Sequence, residues 1–287
     1  MSWLIVGTVP VQGDALMDDQ CHLKSGKLFL GSKELPINRG TPALIAFACA
    51  VANTMGMDPP RVLLAGDIGK GDGSEKVYRH LCETLPERQE KLLVFHYLMP
   101  DVYWLHQIML RIERLSVKPT LIADAGFMYV AKMGGVAREF DLFTPDLGET
   151  AFLADESAPH PFYTRGLFLN ENMNVSELIE LAYKNENAAR HLLVKGHVDY
   201  VASQNGIFSE ISEPCVETME PIGGTGDSLT GIVSTLIEGG MDIPEAATMA
   251  ARVNRYMGLL ASPTPAWSIK DFLPFVPSAI ALAKKSL

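Results

Sequence analysis

Residues 222–231 read Ile222-Gly223-Gly224-Thr225-Gly226-Asp227-Ser228-Leu229-Thr230-Gly231, and this stretch indicates the fold more sharply than any other part of the chain. Its glycines stand directly before an amphipathic helix, in which apolar residues recur at helical spacing. Glycines allow backbone N–H groups to turn toward one point, and a helix N-terminus adds partial positive charge. The stretch therefore predicts an anion-binding site at Gly224, Thr225 and Gly226.

Asp227 is an acidic residue inside this predicted anion site. Such a carboxylate can act as a base toward a substrate hydroxyl that lies beside a phosphate held by the glycines. The alternative interpretation is that Asp227 only caps the helix, because aspartate is a favoured N-cap residue. The stretch is not a P-loop, since the chain contains no GxxxxGK[ST] sequence.

Outward from this stretch, apolar strand patterns alternate with helical patterns over residues 62–194. This alternation predicts a mainly parallel sheet with helices on both faces. Asn205-Gly206 predicts a tight turn, and hence an antiparallel hairpin at one edge of the sheet. With no linker-like segment and no internal repeat, the prediction is a single α/β domain over residues 1–287, built as a three-layer α/β/α sandwich.

The predicted elements follow from apolar runs, helix caps and glycine stops. Strands are predicted over residues 3–6, 61–65, 92–95, 120–123, 140–144 and 192–194, with a ribbon over 23–35. Helices are predicted over 41–55, 74–85, 101–115, 148–154, 176–189, 242–260 and 269–284, besides the one that follows Asp227. Thr41 is predicted as the N-cap of the first helix, Ser176 as that of a later one, and residues 157–175 as a long loop.

The sequence GGTGDSLTGI resembles the signature of the ribokinase superfamily, in which Gly-[Thr/Ala]-Gly-Asp begins a late helix. In its longer form it is most similar to the NAD(P)H-hydrate dehydratases. Residues 122–125 (IADA), 143–149 (FTPDLGE) and 193–196 (LVKG) are similar to further dehydratase motifs, in the same order. The resemblance covers roughly residues 120–282 and implies a ribokinase-like sandwich.

This resemblance implies a role for each matching residue. Asp227 matches the catalytic aspartate, and the three residues before it match the site of the transferred phosphoryl group. Lys195, Gly196 and Asn254 match nucleotide contacts, with ATP or ADP as the nucleotide. Glu149 matches a carboxylate that acts through water or a divalent metal, and Asp124 is a second carboxylate for the outer shell of Mg²⁺.

The chain departs from the dehydratase pattern on the acceptor side. Asp146 and Leu147 stand where the dehydratases have His and Pro, and residues 95–100 (FHYLMP) replace a Gly-Pro-Gly-Leu-Gly loop. A second glycine-rich loop, residues 66–74 (GDIGKGDGS), follows a strand where ligands bind in open α/β sheets. Asp67 and Asp72 in this loop, together with Asp146, are therefore predicted near the substrate or metal; the alternative is a solvated turn.

Composition restricts the classes of function. The net charge of −10 disfavours nucleic acid as a partner. No apolar run reaches the roughly 18 residues that a membrane span needs, so no membrane partner is expected. Four cysteines without a CxxC pair are typical of reduced thiols in a cytoplasmic protein. The histidines, including His96 and His106, lack metal-binding spacing.

The predicted function is nucleotide-dependent phosphoryl transfer to a small-molecule hydroxyl, of the dehydratase type. The alternatives are a sugar or vitamin kinase of the same superfamily, and a non-catalytic nucleotide-binding protein. A dehydrogenase lacks support, since no GxGxxG follows the first strand. The resemblance also implies a homo-oligomer.

Overall fold

A computed structural model describes residues 3–13, 15–158 and 174–285. In these ranges eleven strands form one sheet, in the order β11-β10-β9-β8-β7-β6-β1-β5-β2-β3-β4. The strands are β1 (Trp3–Val9), β2 (Met17–Lys24), β3 (Lys27–Leu30), β4 (Lys33–Leu35), β5 (Arg61–Gly66), β6 (Leu92–His96), β7 (Thr120–Ala123), β8 (Leu142–Phe143), β9 (His191–Val194), β10 (Asp199–Ser203) and β11 (Gly206–Ile211).

The central six strands, from β9 through β5, pair in parallel, and both flanks of the sheet are antiparallel. At one edge the Asn205-Gly206 turn joins β10 to β11 as an antiparallel pair. At the other edge β2, β3 and β4 form an antiparallel ribbon. The predicted α/β class, the mainly parallel sheet and the antiparallel edge hairpin are confirmed.

Helices cover both faces of this sheet. The α-helices in the described ranges are Thr41–Met55, Asp72–Thr84, Val102–Glu113, Ala125–Met133, Leu147–Ala154, Val175–Lys184, Thr225–Glu238, Ile243–Ala261 and Val276–Ala283. Short 3₁₀ helices are Leu85–Glu87, Ala137–Glu139, Glu217–Met219 and Ile269–Phe275. None of the helices in these ranges is long and apolar enough to cross a membrane.

Successive side chains of β1 point to opposite faces of the sheet and pack against the two layers of helices. Trp3 and Ile5 pack into the core formed with the first helix and the last three helices. Leu4 and Val6 point to the opposite face and pack into the core formed with the five helices between residues 72 and 184. Because side chains alternate across a strand, a run of apolar residues is buried on both faces only in a central strand.

Several element boundaries differ from the sequence predictions. Gly40, not Thr41, is the N-cap of the first helix, and the Thr41 hydroxyl contacts His96 instead. Asn174, not Ser176, caps the helix that begins at Val175, because Glu177 lies three residues later and completes a capping box. The last predicted helix is 3₁₀ up to Phe275, and residues 159–173 of the predicted long loop lie outside the described ranges.

The helix Ala125–Met133 escaped sequence prediction because it is buried on most sides. Seven of its nine residues are buried, so it lacks the polar face that produces a helical pattern. Its first residue follows directly on Asp124, which ends the loop after β7 and caps the helix through the backbone N–H of Ala125. The carboxylate of Asp124 is thereby fixed at the end of a strand.

The helices Thr41–Met55 and Thr225–Glu238 cross closely at Gly231. A Cβ at this position would collide with the backbone carbonyl of Leu44 and lie 3.1 Å from the backbone nitrogen of Ala48. Only glycine allows this approach, because the obstacle is backbone and cannot rotate away. Both helix N-termini are thereby held at the same end of the sheet.

We expect Gly231→Ala to destabilise the protein by about 1–3 kcal/mol, as overpacking does, although alanine is the better helix former. Thermal unfolding measures the change. Gly258→Ala is the matched control, since the new methyl group there meets the flexible end of Met219. A Gly231→Ala protein that melts at or above the wild-type temperature would contradict this account of the crossing.

Candidate active site

A cavity of about 810 Å³ lies at the carboxyl ends of the parallel strands. His96 ends β6, Asp124 follows β7, Asp146 lies shortly after β8, and Lys195 follows β9. Parallel strands place the residues that follow them at one edge of the sheet, which is where ligands bind in open α/β folds. The helix that begins at Thr225 closes the cavity with its N-terminus.

Most of the residues singled out from the sequence line this cavity. They are Asp124, Asp146, Glu149, Lys195, Gly196, Gly224, Thr225, Gly226, Asp227 and Asn254. Asp67 and Asp72 are not among its lining residues. The carboxylate of Asp67 instead accepts hydrogen bonds from three backbone N–H groups of its own loop and from the backbone and side chain of Ser74.

The glycines before Asp227 have the backbone geometry that an anion site requires. Gly224 is the N-cap of its helix with a φ of 103°, a conformation that side-chain-bearing residues rarely adopt. A Cβ at Gly224 would also lie 3.0 Å from the Cβ of Ile269. A Cβ at Gly226 would stand 3.5 Å from the ammonium nitrogen of Lys195. The positive end of the helix and a lysine therefore face the same point in the cavity.

Asp227 lies in the first turn of the helix, and Gly224 rather than Asp227 is the cap. Its Oδ2 accepts a hydrogen bond of 2.6 Å from the backbone N–H of Gly40, and its Oδ1 is 3.1 Å from Nε2 of His96. Burial alone would raise the pKa of Asp227, but His96, the Gly40 N–H and Lys195 together hold it below its ordinary value. The carboxylate is therefore ionised at neutral pH.

Lys195 and Asp124 form an ion pair in the floor of the cavity. Lys195 Nζ lies 3.0 Å from each carboxylate oxygen of Asp124, which also accepts hydrogen bonds from Thr230 at 2.6 Å and Ala125 at 2.9 Å. Burial would lower the pKa of Lys195, but Asp124 and Glu149 raise it above its ordinary value. A fixed cation consequently stands beside Gly226, at the N-terminus of the helix Thr225–Glu238.

Glu149 is held in a capping box at the start of the helix Leu147–Ala154. Its Oε2 accepts a hydrogen bond of 2.8 Å from the backbone N–H of Asp146, and its Oε1 accepts one of 2.5 Å from the Tyr129 hydroxyl. Burial raises the pKa of Glu149 to about 7, supported by the nearby Asp124 and opposed by Lys195. With both oxygens engaged, Glu149 suits contact with a metal through water better than direct ligation.

Arg255 fixes the segment after β9. Its Nε donates to Asp199 Oδ2 at 2.8 Å, and Asp199 Oδ1 accepts from the backbone N–H of Gly196 at 3.0 Å. The guanidinium also donates to the carbonyl oxygens of Gly196, His197 and Ser212. Arg255 thus makes four hydrogen bonds, to one carboxylate and three carbonyls, out of the five that its guanidinium can donate.

Asn254 faces the helix that carries the glycine site. Its Oδ1 accepts from the Ser228 hydroxyl at 2.9 Å, and its Nδ2 donates to the Thr225 carbonyl at 3.3 Å. Asn254 therefore braces the first turn of that helix. Its contact with a nucleotide stays a prediction.

Sequence reasoning missed His96 and Gly40. The chain has no histidine spacing typical of a metal site, yet the sheet brings His96 within 4.8 Å of Asp124 and Asp227, counted between ligand atoms. His96 is fully buried. The available signal was its position, a polar residue at the carboxyl end of an apolar strand. Gly40 carried no such signal, because its contact with Asp227 depends on how two distant helices pack.

Solved structures with the same architecture belong to small-molecule kinases. They include a pyridoxal kinase from Staphylococcus aureus in complex with AMP-PCP and pyridoxal (TM-score 0.57, 12% identity, 95% of this chain and 92% of that chain). The phosphofructokinase-2 from Escherichia coli in complex with fructose-6-phosphate is equally similar (TM-score 0.56, 13% identity, 98% and 99%). A ribokinase-like superfamily protein from Enterococcus faecalis V583 also matches (TM-score 0.57, 12% identity, 98% and 87%).

These similarities show that the chain has the ribokinase-like fold. No protein-family model matches the sequence. The chain belongs to the family of the uncharacterized protein MJ1337 of Methanocaldococcus jannaschii, to which it is 40% identical over 222 residues, 77% of this chain and 90% of the relative.

Proposed function

We propose that this protein transfers a phosphoryl group from ATP or ADP to a hydroxyl group of a small molecule. The observation that carries the proposal is the position of the Asp227 carboxylate, in the first turn of the helix after Gly224, where it contacts the Gly40 N–H and the buried His96. The crystallised neighbours support it, since their complexes contain an ATP analogue, ADP or a phosphorylated sugar.

Phosphoryl transfer requires mainly positioning and charge stabilisation, and this cavity offers both. The helix N-terminus at Gly224–Gly226 and the ammonium group of Lys195 would bind the transferred group and stabilise its negative charge. Asp227 would accept the proton of the attacking hydroxyl. Its low pKa is compatible with this role, because in a loose transition state the hydroxyl loses its proton late.

Mg²⁺ would accompany the nucleotide and neutralise its phosphate oxygens. Asp146 and Glu149 face the cavity, and Glu149 would bind the hydrated ion through water. Since the Glu149 oxygens already accept hydrogen bonds from Tyr129 and Asp146, a direct bond to the ion would cost one of these contacts.

Two finer assignments of the acceptor remain proposals. The long GGTGDSLTGI motif favours an NAD(P)H-hydrate dehydratase reaction, in which phosphorylation is followed by elimination. His96 and Tyr97 favour a different acceptor, because they line the cavity within residues 95–100, which differ from the dehydratase sequence. A non-catalytic nucleotide-binding protein is the weakest alternative, since such a protein has no need of the Asp227 carboxylate.

We expect ATP or ADP with Mg²⁺ to raise the melting temperature. At a ligand concentration about 100 times Kd, the stabilisation is on the order of 2.7 kcal/mol. Nucleotide turnover is then measured with vitamins, sugars and NADH hydrate as acceptors. If saturating ATP and ADP both leave the melting temperature unchanged, the proposed nucleotide site is wrong.

Two glycine variants test whether the nucleotide binds at the N-terminus of the helix Thr225–Glu238. Gly224→Ala and Gly240→Ala each force alanine into a positive φ, of 103° and 91° respectively, at opposite ends of the same helix. Both proteins should therefore lose stability, Gly224→Ala the more so because its Cβ also lies 3.0 Å from the Cβ of Ile269. Only Gly224→Ala should also reduce the shift caused by the nucleotide, because Gly240 does not line the cavity.

A further inference from the structure

Three potential metal ligands from different elements converge beneath the glycine site. They are His96 Nε2 at the end of β6, Asp124 Oδ2 after β7, and Asp227 Oδ1 in the first turn of the helix Thr225–Glu238. Nε2 lies 3.1 Å from the Asp227 oxygen and 3.8 Å from the Asp124 oxygen, and the three ligand atoms all lie within 4.8 Å of one another.

His96 is oriented as a metal-binding histidine would be. Its side chain has no solvent exposure, and Nδ1 lies 3.0 Å from the Thr41 hydroxyl oxygen. Nε2 has no partner in hydrogen-bonding geometry, although it lies 3.1 Å from Asp227 Oδ1 and its charge interaction with that carboxylate contributes to the low pKa of Asp227. On metal binding, a proton kept on Nδ1 and donated to Thr41 would leave the Nε2 lone pair for the ion. This is the arrangement by which hydrogen bonds from the second nitrogen orient histidine ligands.

The spacing of the three atoms suits a small divalent ion. Bonds of about 2.0–2.2 Å place neighbouring ligands about 3.0–3.6 Å apart and opposite ligands about 4.0–4.4 Å apart. The separations of 3.1 and 3.8 Å lie within a few tenths of an ångström of these values, and the third, between the two carboxylate oxygens, lies within 4.8 Å, so the carboxylates would close on a bound ion. One nitrogen and two carboxylate oxygens are ligands suited to Mn²⁺, Fe²⁺, Co²⁺ or Zn²⁺.

Asp227 offers an oxygen atom to the ion as it stands, and Asp124 offers one after a single hydrogen bond is exchanged. Asp227 Oδ2 accepts from the Gly40 N–H, which leaves Oδ1 facing His96. Asp124 Oδ2 accepts from both Lys195 and Thr230. Lys195 can release this oxygen and keep its equal bond of 3.0 Å to Oδ1. The carboxylate would then bridge the metal and the ammonium group.

We propose that His96, Asp124 and Asp227 bind one divalent transition-metal ion, with an open coordination position toward the cavity. Its role in the reaction rests on the proposed function. A hydroxyl bound at the open position would lose its proton more readily, because a metal ion stabilises the resulting alkoxide. Asp227 would then act on the acceptor as a ligand of this ion as well as through its own charge.

Cobalt titration tests the site directly. The full-length protein is freed of metal with a chelator and titrated with Co²⁺ in the absence of nucleotide. We expect visible d–d absorption that saturates at one equivalent, and His96→Ala should weaken Co²⁺ binding by more than about 100-fold. His191→Ala is the control, because this histidine is half-buried, lies outside the cavity lining and has its Nδ1 3.1 Å from the Asp141 carbonyl oxygen.

A second variant keeps the test decisive if the His96→Ala protein does not fold. Asp227→Asn, which keeps a neutral oxygen in place, should weaken Co²⁺ binding by at least about 10-fold. The proposal is overturned if Co²⁺, Mn²⁺ and Zn²⁺ do not bind stoichiometrically, or if folded variants at both positions bind Co²⁺ as the wild type does. Because nucleotide is absent, failure here leaves the ATP and ADP result untouched, and the two proposals fail separately.

Discussion

Asp227→Asn is expected to lower kcat by about 100-fold or more, the usual scale for loss of a general base. Nucleotide affinity should stay nearly unchanged, because the glycines and Lys195 remain in place. The reason lies in the charge of Asp227, whose pKa is held low by His96, Gly40 and Lys195. Asparagine has the same shape but can neither accept the hydroxyl proton nor supply the negative charge.

The fold should tolerate this change. The amide oxygen of asparagine can still accept the hydrogen bond from Gly40 N–H, and Gly224 rather than Asp227 caps the helix. We therefore expect less than about 1 kcal/mol of destabilisation. Glu245→Gln is the control, since Glu245 is an exposed carboxylate in the first turn of the next helix.

Kinetics and thermal unfolding of the two variants decide the role of Asp227. Full activity combined with a much lower melting temperature would show that Asp227 is only structural, and the proposed chemistry would be withdrawn. The loss of kcat alone does not distinguish a proton acceptor from a metal ligand, and the cobalt titration makes that distinction.

Arg255→Met is expected to destabilise the protein by about 3–5 kcal/mol, the range for breaking a buried ion pair from one side. The side chains of Arg255 and Asp199 are only 10% and 7% exposed. Methionine fills similar space but leaves the Asp199 carboxylate and three carbonyl oxygens without the guanidinium. Denaturant unfolding measures the loss. Arg138→Met is the control, since Arg138 pairs with Glu186 at the surface and should cost less than about 1 kcal/mol.

The free energy of unfolding of Arg255→Met should change with pH in a definite direction. Burial already raises the pKa of Asp199 above its ordinary value of 3.8 in the native protein, and Arg255 opposes this rise. Without Arg255 the folded protein would bind the Asp199 proton still more tightly than the unfolded chain. Stability contributed by that proton grows as the pH falls from the raised pKa toward the ordinary value.

Asp199→Asn added to Arg255→Met separates charge from packing. The double variant should be more stable than Arg255→Met at neutral pH, since it contains no uncompensated buried charge. The difference should shrink as the pH falls, because Asp199 becomes neutral in the single variant. Equal stability of the two proteins at neutral pH would show that the pair contributes through packing alone.

Local signals in the sequence were sufficient for the sheet and for part of the lining of the cavity. Asn205-Gly206 predicted its hairpin because both residues tolerate positive φ, and the glycines before Asp227 predicted an anion site because their geometry depends on neighbours in sequence. Lys195 was placed in the site by a resemblance. Its ion pair with Asp124 spans 71 residues and had no sequence signal.

The residues that sequence reasoning missed are brought to Asp227 by contacts between segments that are distant in sequence. Gly40 and Asp227 are 187 residues apart, and Thr41 and His96 are 55 apart, so only the packing of helix against helix and helix against strand brings them together. Asp67 also follows a strand, but its carboxylate is hydrogen-bonded within its own loop and to Ser74, and its proximity to a substrate stays a prediction. A strand end predicts where a side chain lies, and its hydrogen bonds decide what it does.

The close helix crossing at Gly231 also bears on how this fold can change during evolution. It sets the distance between Gly40 and Asp227 through two helices in backbone contact, whereas Tyr97 reaches the cavity from the loop that follows β6. Substitutions in residues 97–100 can accumulate without moving Asp227 relative to Gly224–Gly226. Acceptor preference can therefore diverge among descendants of one ancestor while the geometry around Asp227 is inherited unchanged.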